Sequence, residues 1–349
     1  MDVVKNELYK SYVTDCTSFE SYSRSFVISE RRIFMTEKTL TEYYEKIWLP
    51  VKKSSLKLSS YTRLEQIVYV NIIPALGDEI LQSITPMTII KFMQIVAEKY
   101  SFSTAKKIYQ TLNSCFKYAI QTNDITINPM TIIPVPQKNK YPPAQKMSVL
   151  TVKEISIMKK TITEKSGKSK IDYIAGWAFY IMLNTGLRPG ELLALTWADI
   201  QGDYIYINKN IVTVKDSEIN KYITIVQQTP KTASSERRIF MNNNVRLALK
   251  EIRSFYFPVE KYIISFNGSF ITPNHFRKLW YRFIKYSGIK KRNLYSLRHT
   301  FASLMFSQGC DIKSISYIMG HSSVRTTYDI YIHLFEKNYR ETNVLDRII

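Results

Sequence analysis

The stretch from Thr131 to Lys146, TIIPVPQKNKYPPAQK, is rich in proline and lysine and carries neither the helical nor the strand period, so no regular element runs through it. It divides the chain of 349 residues into two lengths that must each find a core. The expected organisation is an unassigned segment over residues 1–37, a first unit over 38–132, an interdomain linker over 133–147, a second unit over 148–334 and a C-terminal tail over 335–349. With 45% hydrophobic and 13% aromatic residues both units can bury apolar cores, and the length exceeds what one core usually serves. Disorder is excluded as the main state.

Apolar periodicity makes the first unit helical. TLTEYYEKIWL puts Leu40, Tyr43, Tyr44 and Ile47 on one face, and Ser60 stands where it caps the helix of YTRLEQIVYVNII. Thr85 followed by Pro86 is a helix start, and Ser103 opens a helix striped by Ala105, Ile108, Leu112, Cys115, Phe116 and Ala119. Four helices are expected there. In the second unit Thr151 and Glu154 form a capping box, Tyr173–Leu187 reads as a buried helix, and Tyr204–Ile207, Tyr222–Val226 and Arg237–Phe240 read as strands of one small antiparallel sheet. Helices follow from about Asn243, at Pro273, over Tyr295–Ser307, over Ile312–Met319 and over Val324–His333. The fold class is mainly α with a small antiparallel β-sheet.

Charge narrows the function. The 49 Lys and Arg against 29 Asp and Glu leave +20, which on a foldable chain points to a polyanion, nucleic acid more readily than a membrane surface. The longest apolar stretch falls short of the roughly 20 residues a bilayer span needs. Cys16, Cys115 and Cys310 are too scattered for a disulfide framework or a zinc site, and the N-terminus has no apolar signal core, so a cytoplasmic location is expected. His275, His299, His321 and His333 show no metal-ligand spacing, and no glycine-rich phosphate loop occurs. No metal and no cofactor is expected.

What remains is a set of cations and one phenol along the second unit: Arg188 in TGLRPGELL, Lys231 in TPKTASSERR, Arg298 in YSLRHTFAS, His321 in MGHSS and Tyr331 in TTYDIYIH. Each alone is more often a solvated charge, a cap or a core aromatic. Together they suit phosphoryl transfer. A phenol can hold a broken phosphodiester as a covalent phosphotyrosine without any cofactor. Its ordinary pKa of about 10 demands cations nearby, and the same cations stabilise the extra charge on a pentacoordinate phosphorus. Arginine suits this because its planar fork grips two phosphate oxygens and stays charged.

In these boxes the sequence resembles the tyrosine recombinase family, the integrases of phages and transposons, from Thr39 to about Leu334. TGLRPGELLAL matches its first arginine box, LRHTFASLM its second and GHSSVRTTYDIYIH its histidine-to-nucleophile segment. The resemblance implies a helical core-binding domain and a mixed α/β catalytic domain forming a C-shaped clamp on double-stranded DNA, acting as a homo-tetramer that cuts and exchanges strands. It implies Tyr331 as nucleophile, ten residues beyond His321, with Tyr328 at a position the family fills with an apolar residue. Arg188 and Arg298 would grip the phosphate, Lys231 protonate the leaving 5′ oxygen, His321 hydrogen-bond the phosphate and Glu191, one helical turn beyond Arg188, orient a neighbour. The second box departs from the family at Tyr295, where histidine is usual, so Tyr295 is assigned a phosphate contact and no role as a base.

Arg63, Lys106, Lys107 and the run Lys290, Lys291, Arg292 are further candidates for backbone phosphate contact. Family members also use excisionases and DNA-bending proteins as partners, and many carry an arm-binding domain for which residues 1–37 are short. Two other readings share these residues: a DNA-binding regulator that does not cleave, and a type IB topoisomerase that relaxes supercoils as a monomer.

Overall fold

The structure is a computed structural model and describes residues 37–142, 148–164, 169–216, 219–228, 236–255 and 261–328. The first unit opens with α1 (Leu40–Tyr43), boxed by Thr39 and Glu42, which passes through a π-helical turn (Tyr44–Trp48) into α2 (Leu49–Ser55). The extra residue of that turn rotates the buried face, so Trp48 is fully buried where the helical period pointed to Ile47, which is only partly covered. α3 (Leu58–Ile67) passes through a second π turn (Val68–Ile72) into α4 (Ile73–Leu76). It begins two residues before Ser60, and α6 (Phe102–Gln121) likewise begins one residue before Ser103, with Ser101 in the N-cap position. Between them α5 (Pro86–Lys99) is capped by the Thr85 hydroxyl. The expected stripe of α6 from Ala105 to Ala119 is buried against Tyr44, Trp48, Val68 and Ile72. That core also takes in Ile133, whose carbonyl accepts from the Tyr109 hydroxyl at 3.0 Å, and Tyr141, which stands edge-on to Phe102, so the start of the linker packs on the first unit.

In the second unit α7 (Val152–Thr163) begins at the Thr151–Glu154 box, and α8 (Lys170–Thr185) is the core helix, buried almost all round. α9 (Pro189–Ala194) follows after a tight left-handed turn at Gly186 (φ 66°). β1 (Ile200–Gln201), β2 (Tyr204–Ile207), β3 (Asn210–Asp216), β4 (Lys221–Gln227) and β5 (Arg237–Phe240) come next. α10 (Asn243–Arg253), a small hairpin of β6 (Ser265–Phe266) and β7 (Ser269–Phe270), α11 (Pro273–Ser287), α12 (Tyr295–Ser307) and α13 (Ile312–Met319) complete the described elements. α8 packs against α10, α11 and α12.

The single sheet read from sequence is two sheets. β2 pairs with β1 and β5, with Ile205 opposite Ile239, whereas the strand containing Tyr222–Val226 is β4, which pairs with β3 from Asn210↔Gln227 to Asp216↔Lys221. The reason lies in β3, where buried Ile211 and Val214 break the period of two, so the sequence pattern leaves β4 without its own partner. The pair β3–β4 reaches toward the first unit. There the Lys215 amide donates to the Thr62 hydroxyl (3.1 Å), while its ammonium meets Glu65 (3.4 Å) and lies over the Tyr69 ring. The two units thus face each other across a cleft of about 960 Å³, lined by Ser59 and Arg63 on one side and Arg188, Arg277 and Tyr295 on the other.

Candidate active site

The floor of that cleft is built where α9, α12 and α13 end or begin together. Pro189 sits at the first position of α9, where a missing amide hydrogen is harmless, so Arg188 is left as the residue before the helix with its side chain toward the cleft. Gly190 is required beside it, because a Cβ there would lie 2.1 Å from the Asn210 side-chain oxygen of β3. Arg188 donates its backbone amide (2.9 Å) and its Nη1 (2.7 Å) to the Glu191 carboxylate, and its Nη2 to the Gly320 carbonyl (2.7 Å).

Arg298 stands one turn into α12 and is almost fully buried. Its Nη1 donates to the carbonyl of Gly186, and its Nη2 donates to the Met319 carbonyl at 2.6 Å and meets His321 Nε2 at 2.9 Å. A guanidinium only donates, so Nε2 accepts and the ring proton sits on Nδ1, which donates to the Thr327 hydroxyl at 2.7 Å. Burial first, then the positive charges of Arg298, Arg188 and Arg237, push the His321 pKa down to about 4. The ring is neutral at physiological pH. Burial and Arg298 also lower the pKa of the neighbouring His299.

Glu191 completes the group. Burial pushes its carboxyl up, but the charge and hydrogen bonds of Arg237, and then Arg188, outweigh it and hold the group down at about 2. The sequence pattern assigns Arg237 only to a strand. Its alternation in β5 places Arg237 and Ile239 on the inner face, and a charge on the buried face of a strand is the available signal that it has a paired partner.

Tyr295 is the first residue of α12, 48% exposed, and lines the cleft, one helical turn before Arg298. The structure therefore brings Arg188, Glu191, Tyr295, Arg298 and His321 together. Lys231 and Tyr331 lie outside the described residues. Helical residues run from Val324 to Tyr328, and Tyr328 is 44% exposed.

Among the proposed phosphate contacts Arg63 lines the cleft, and Lys106, Lys107, Lys290 and Lys291 are exposed. Arg292 differs. Its side chain is 6% exposed, forked onto Glu154 at 2.8 and 2.9 Å, with Nη1 also on the Val149 carbonyl at 2.9 Å. A guanidinium held inward this way serves the start of α7, and the basic run contributes only its two lysines to the surface. Among the described residues no group of three or more His, Cys, Asp or Glu is placed to hold a metal ion, and no helix is long and apolar enough to cross a membrane.

Comparison with known proteins agrees with this arrangement. Residues 148–338 match the phage integrase family model, and 39–96 match the N-terminal SAM-like domain of phage integrases. The chain is 27% identical over 270 residues to a XerC-like tyrosine recombinase of Caldanaerobacter subterraneus subsp. tengcongensis, covering 71% of this chain and 66% of that protein. It is 27% identical over 284 residues to the transposase from transposon Tn916 of Enterococcus faecalis, covering 74% of this chain and 65% of that protein. The match thus spans just under two thirds of the length of these curated relatives. In fold it is similar to the Tn1549 transposon integrase in complex with a circular intermediate DNA (TM-score 0.66, 22% identity, 84% of this chain and 95% of that one). It is also similar to a lambda integrase dimer bound to a COC′ core site (TM-score 0.62, 20% identity, 84% and 95%). With its family model matched over more than half its length and the two arginine boxes and the histidine folded into one cluster, the chain belongs to the phage integrase family of tyrosine recombinases.

Proposed function

We propose that the protein is a site-specific recombinase, an integrase of a mobile element, that cleaves and rejoins double-stranded DNA through a covalent 3′-phosphotyrosine. The observation that carries this reading is that Arg188 and Arg298 converge with neutral His321 at the end of α13, although Arg188 and Gly320 are 132 residues apart and Arg298 and Gly186 are 112 apart. Two guanidinium groups and an uncharged imidazole at the edge of an open cleft suit one phosphodiester, whose charge the arginines hold while it is attacked.

On this reading the Tyr331 oxygen forms a bond to phosphorus as the bond from phosphorus to the 5′ oxygen breaks, and Lys231 gives that oxygen its proton. His321, with Nδ1–H committed to Thr327, presents Nε2 to the phosphate side, shared with Arg298. The phenolic proton would go to water, or to His321 once its Nε2 parts from Arg298, since Tyr295, a phenol in the place of the family's usual histidine, is a poor base near neutral pH. Tyr295 would donate its hydroxyl to a phosphate oxygen. Rejoining reverses these steps with a 5′ hydroxyl from another strand. The DNA would lie in the cleft between the units, with Arg63, Lys106, Lys107, Lys290 and Lys291 toward its backbone, and four protomers would assemble on the paired sites.

The test is a nicked suicide duplex spanning the joined ends of the element that carries the gene, on which the protein should form an adduct that peptide mapping places at Tyr331. An adduct at another residue would refute Tyr331 as the nucleophile, and none on that duplex with specific binding retained would leave the regulator reading standing. Relaxation of plasmid lacking the site would favour the topoisomerase reading.

A further inference from the structure

Three consecutive carbonyls at the C-terminal end of α13 each accept from a different arginine: Ile318 from Arg237 Nε (2.6 Å), Met319 from Arg298 Nη2 (2.6 Å) and Gly320 from Arg188 Nη2 (2.7 Å). The negative end of a helix dipole favours such cations. Two of the three belong to the proposed phosphate grip. The third, Arg237, does not reach the cleft, because its side chain is 0% exposed. It forks onto Glu191 at 3.0 and 3.2 Å, so that carboxylate lies between one buried guanidinium and one, that of Arg188, whose side chain is 31% exposed toward the cleft.

We propose that Arg237 is a positioning residue of the strand-cleavage reaction: by neutralising Glu191 and holding Ile318, it lets Glu191 orient Arg188 without cancelling the charge that Arg188 offers the phosphate. This rests on the reading of function given above. Three guanidiniums against one carboxylate, with His321 neutral, leave two positive charges for one phosphodiester. Without Arg237 one remains, and Glu191 becomes a full counterion to Arg188, which competes with the substrate. Gly320 (φ 63°) lies against the same guanidinium, where a Cβ would stand 2.7 Å from Nη1.

The test uses the full chain and the same suicide duplex, with single-turnover adduct rates for the parent, Arg237→Gln, Arg188→Gln and the double variant, each checked for folding by its melt. Arg237→Gln should slow adduct formation by on the order of 10²-fold, the scale of a misplaced positioning group, with duplex affinity unchanged. In the Arg188→Gln background the same change should alter the rate by no more than about twofold, because the group through which Arg237 acts is gone. A parental rate for folded Arg237→Gln, or the same loss with and without Arg188, overturns the proposal. Should Arg237→Gln fail to fold, Arg237→Met takes its place in the same cycle; it too removes the charge beside Glu191, and a parental rate for it overturns the proposal. If the parent forms no adduct, the functional reading falls, and the side-chain Nε–H resonance of Arg188 decides this inference. Its chemical shift should change in the Arg237 variant, as Glu191 becomes the counterion of Arg188 alone, and an unchanged resonance refutes the positioning role.

Discussion

Tyr328 and Tyr331 differ by three residues, and chemistry separates them more sharply than spacing does. Tyr331→Phe removes the only atom that can bond to phosphorus on the proposed path and should abolish the adduct, while Tyr328→Phe should leave it largely intact; gel analysis of suicide-duplex products distinguishes them. Lys231→Ala should slow cleavage by about 10²- to 10⁴-fold, the range for general acid help, with binding retained in a mobility-shift titration. His321 has a folded pKa of about 4 against an ordinary 6.5. Between those values the unfolded chain takes up a proton that the folded chain refuses, so folding stability falls as pH drops from about 6.5 toward 4. His321→Gln should flatten that part of the profile in urea titrations run across the range. Glu191 acts in a lower window. Its folded pKa of about 2 against 4.5 supplies stability above 4.5 that is lost as pH falls toward 2, and Glu191→Gln should remove it.

Among the elements, the last turn of α13 fixes the active-site floor, because three arginines hang from its final carbonyls and its chain reverses at Gly320. An L residue in the left-handed conformation costs about 1–2 kcal/mol, and the added Cβ would press on the Arg237 guanidinium. Gly320→Ala should therefore lower the melting temperature and slow cleavage together, whereas Gly309→Ala, with equally positive φ but open space around it, should lower the melt alone. Calorimetry paired with the adduct assay checks the contrast. α7 depends on a different arginine. With Arg292 forked onto Glu154 and the Val149 carbonyl at the helix start, Arg292→Ala should destabilise the second unit by about 1–2 kcal/mol, read in urea unfolding, whereas Lys290→Ala should not.

At the scale of the whole molecule, the excess of positive charge and the cleft between the units predict steep salt dependence of DNA binding, with a log–log slope of about −0.9 per phosphate neutralised. Replacing Lys290 and Lys291 together should flatten that slope, while Arg292→Ala should not, because its guanidinium is already held by Glu154. The described contact between the units is small and polar, Lys215 with Thr62, Glu65 and Tyr69, so it sets the facing of α3 and β3 more than it adds stability.

The amino-acid order by itself determined the helix starts at Thr85, Thr151 and Pro273, the burial of α8 and the candidates Arg188, Glu191, Tyr295, Arg298 and His321 that the fold brings together, because caps, prolines and apolar periods act over a few residues. It failed where the decisive interaction was distant. The inward turn of Arg292 and the place of Arg237 beneath Glu191 depend on partners 138 and 46 residues away. Local pattern can say that a residue is charged or apolar. Only the tertiary structure decides which charges meet, since a buried ion pair is selected by the geometry that lets both partners leave water together.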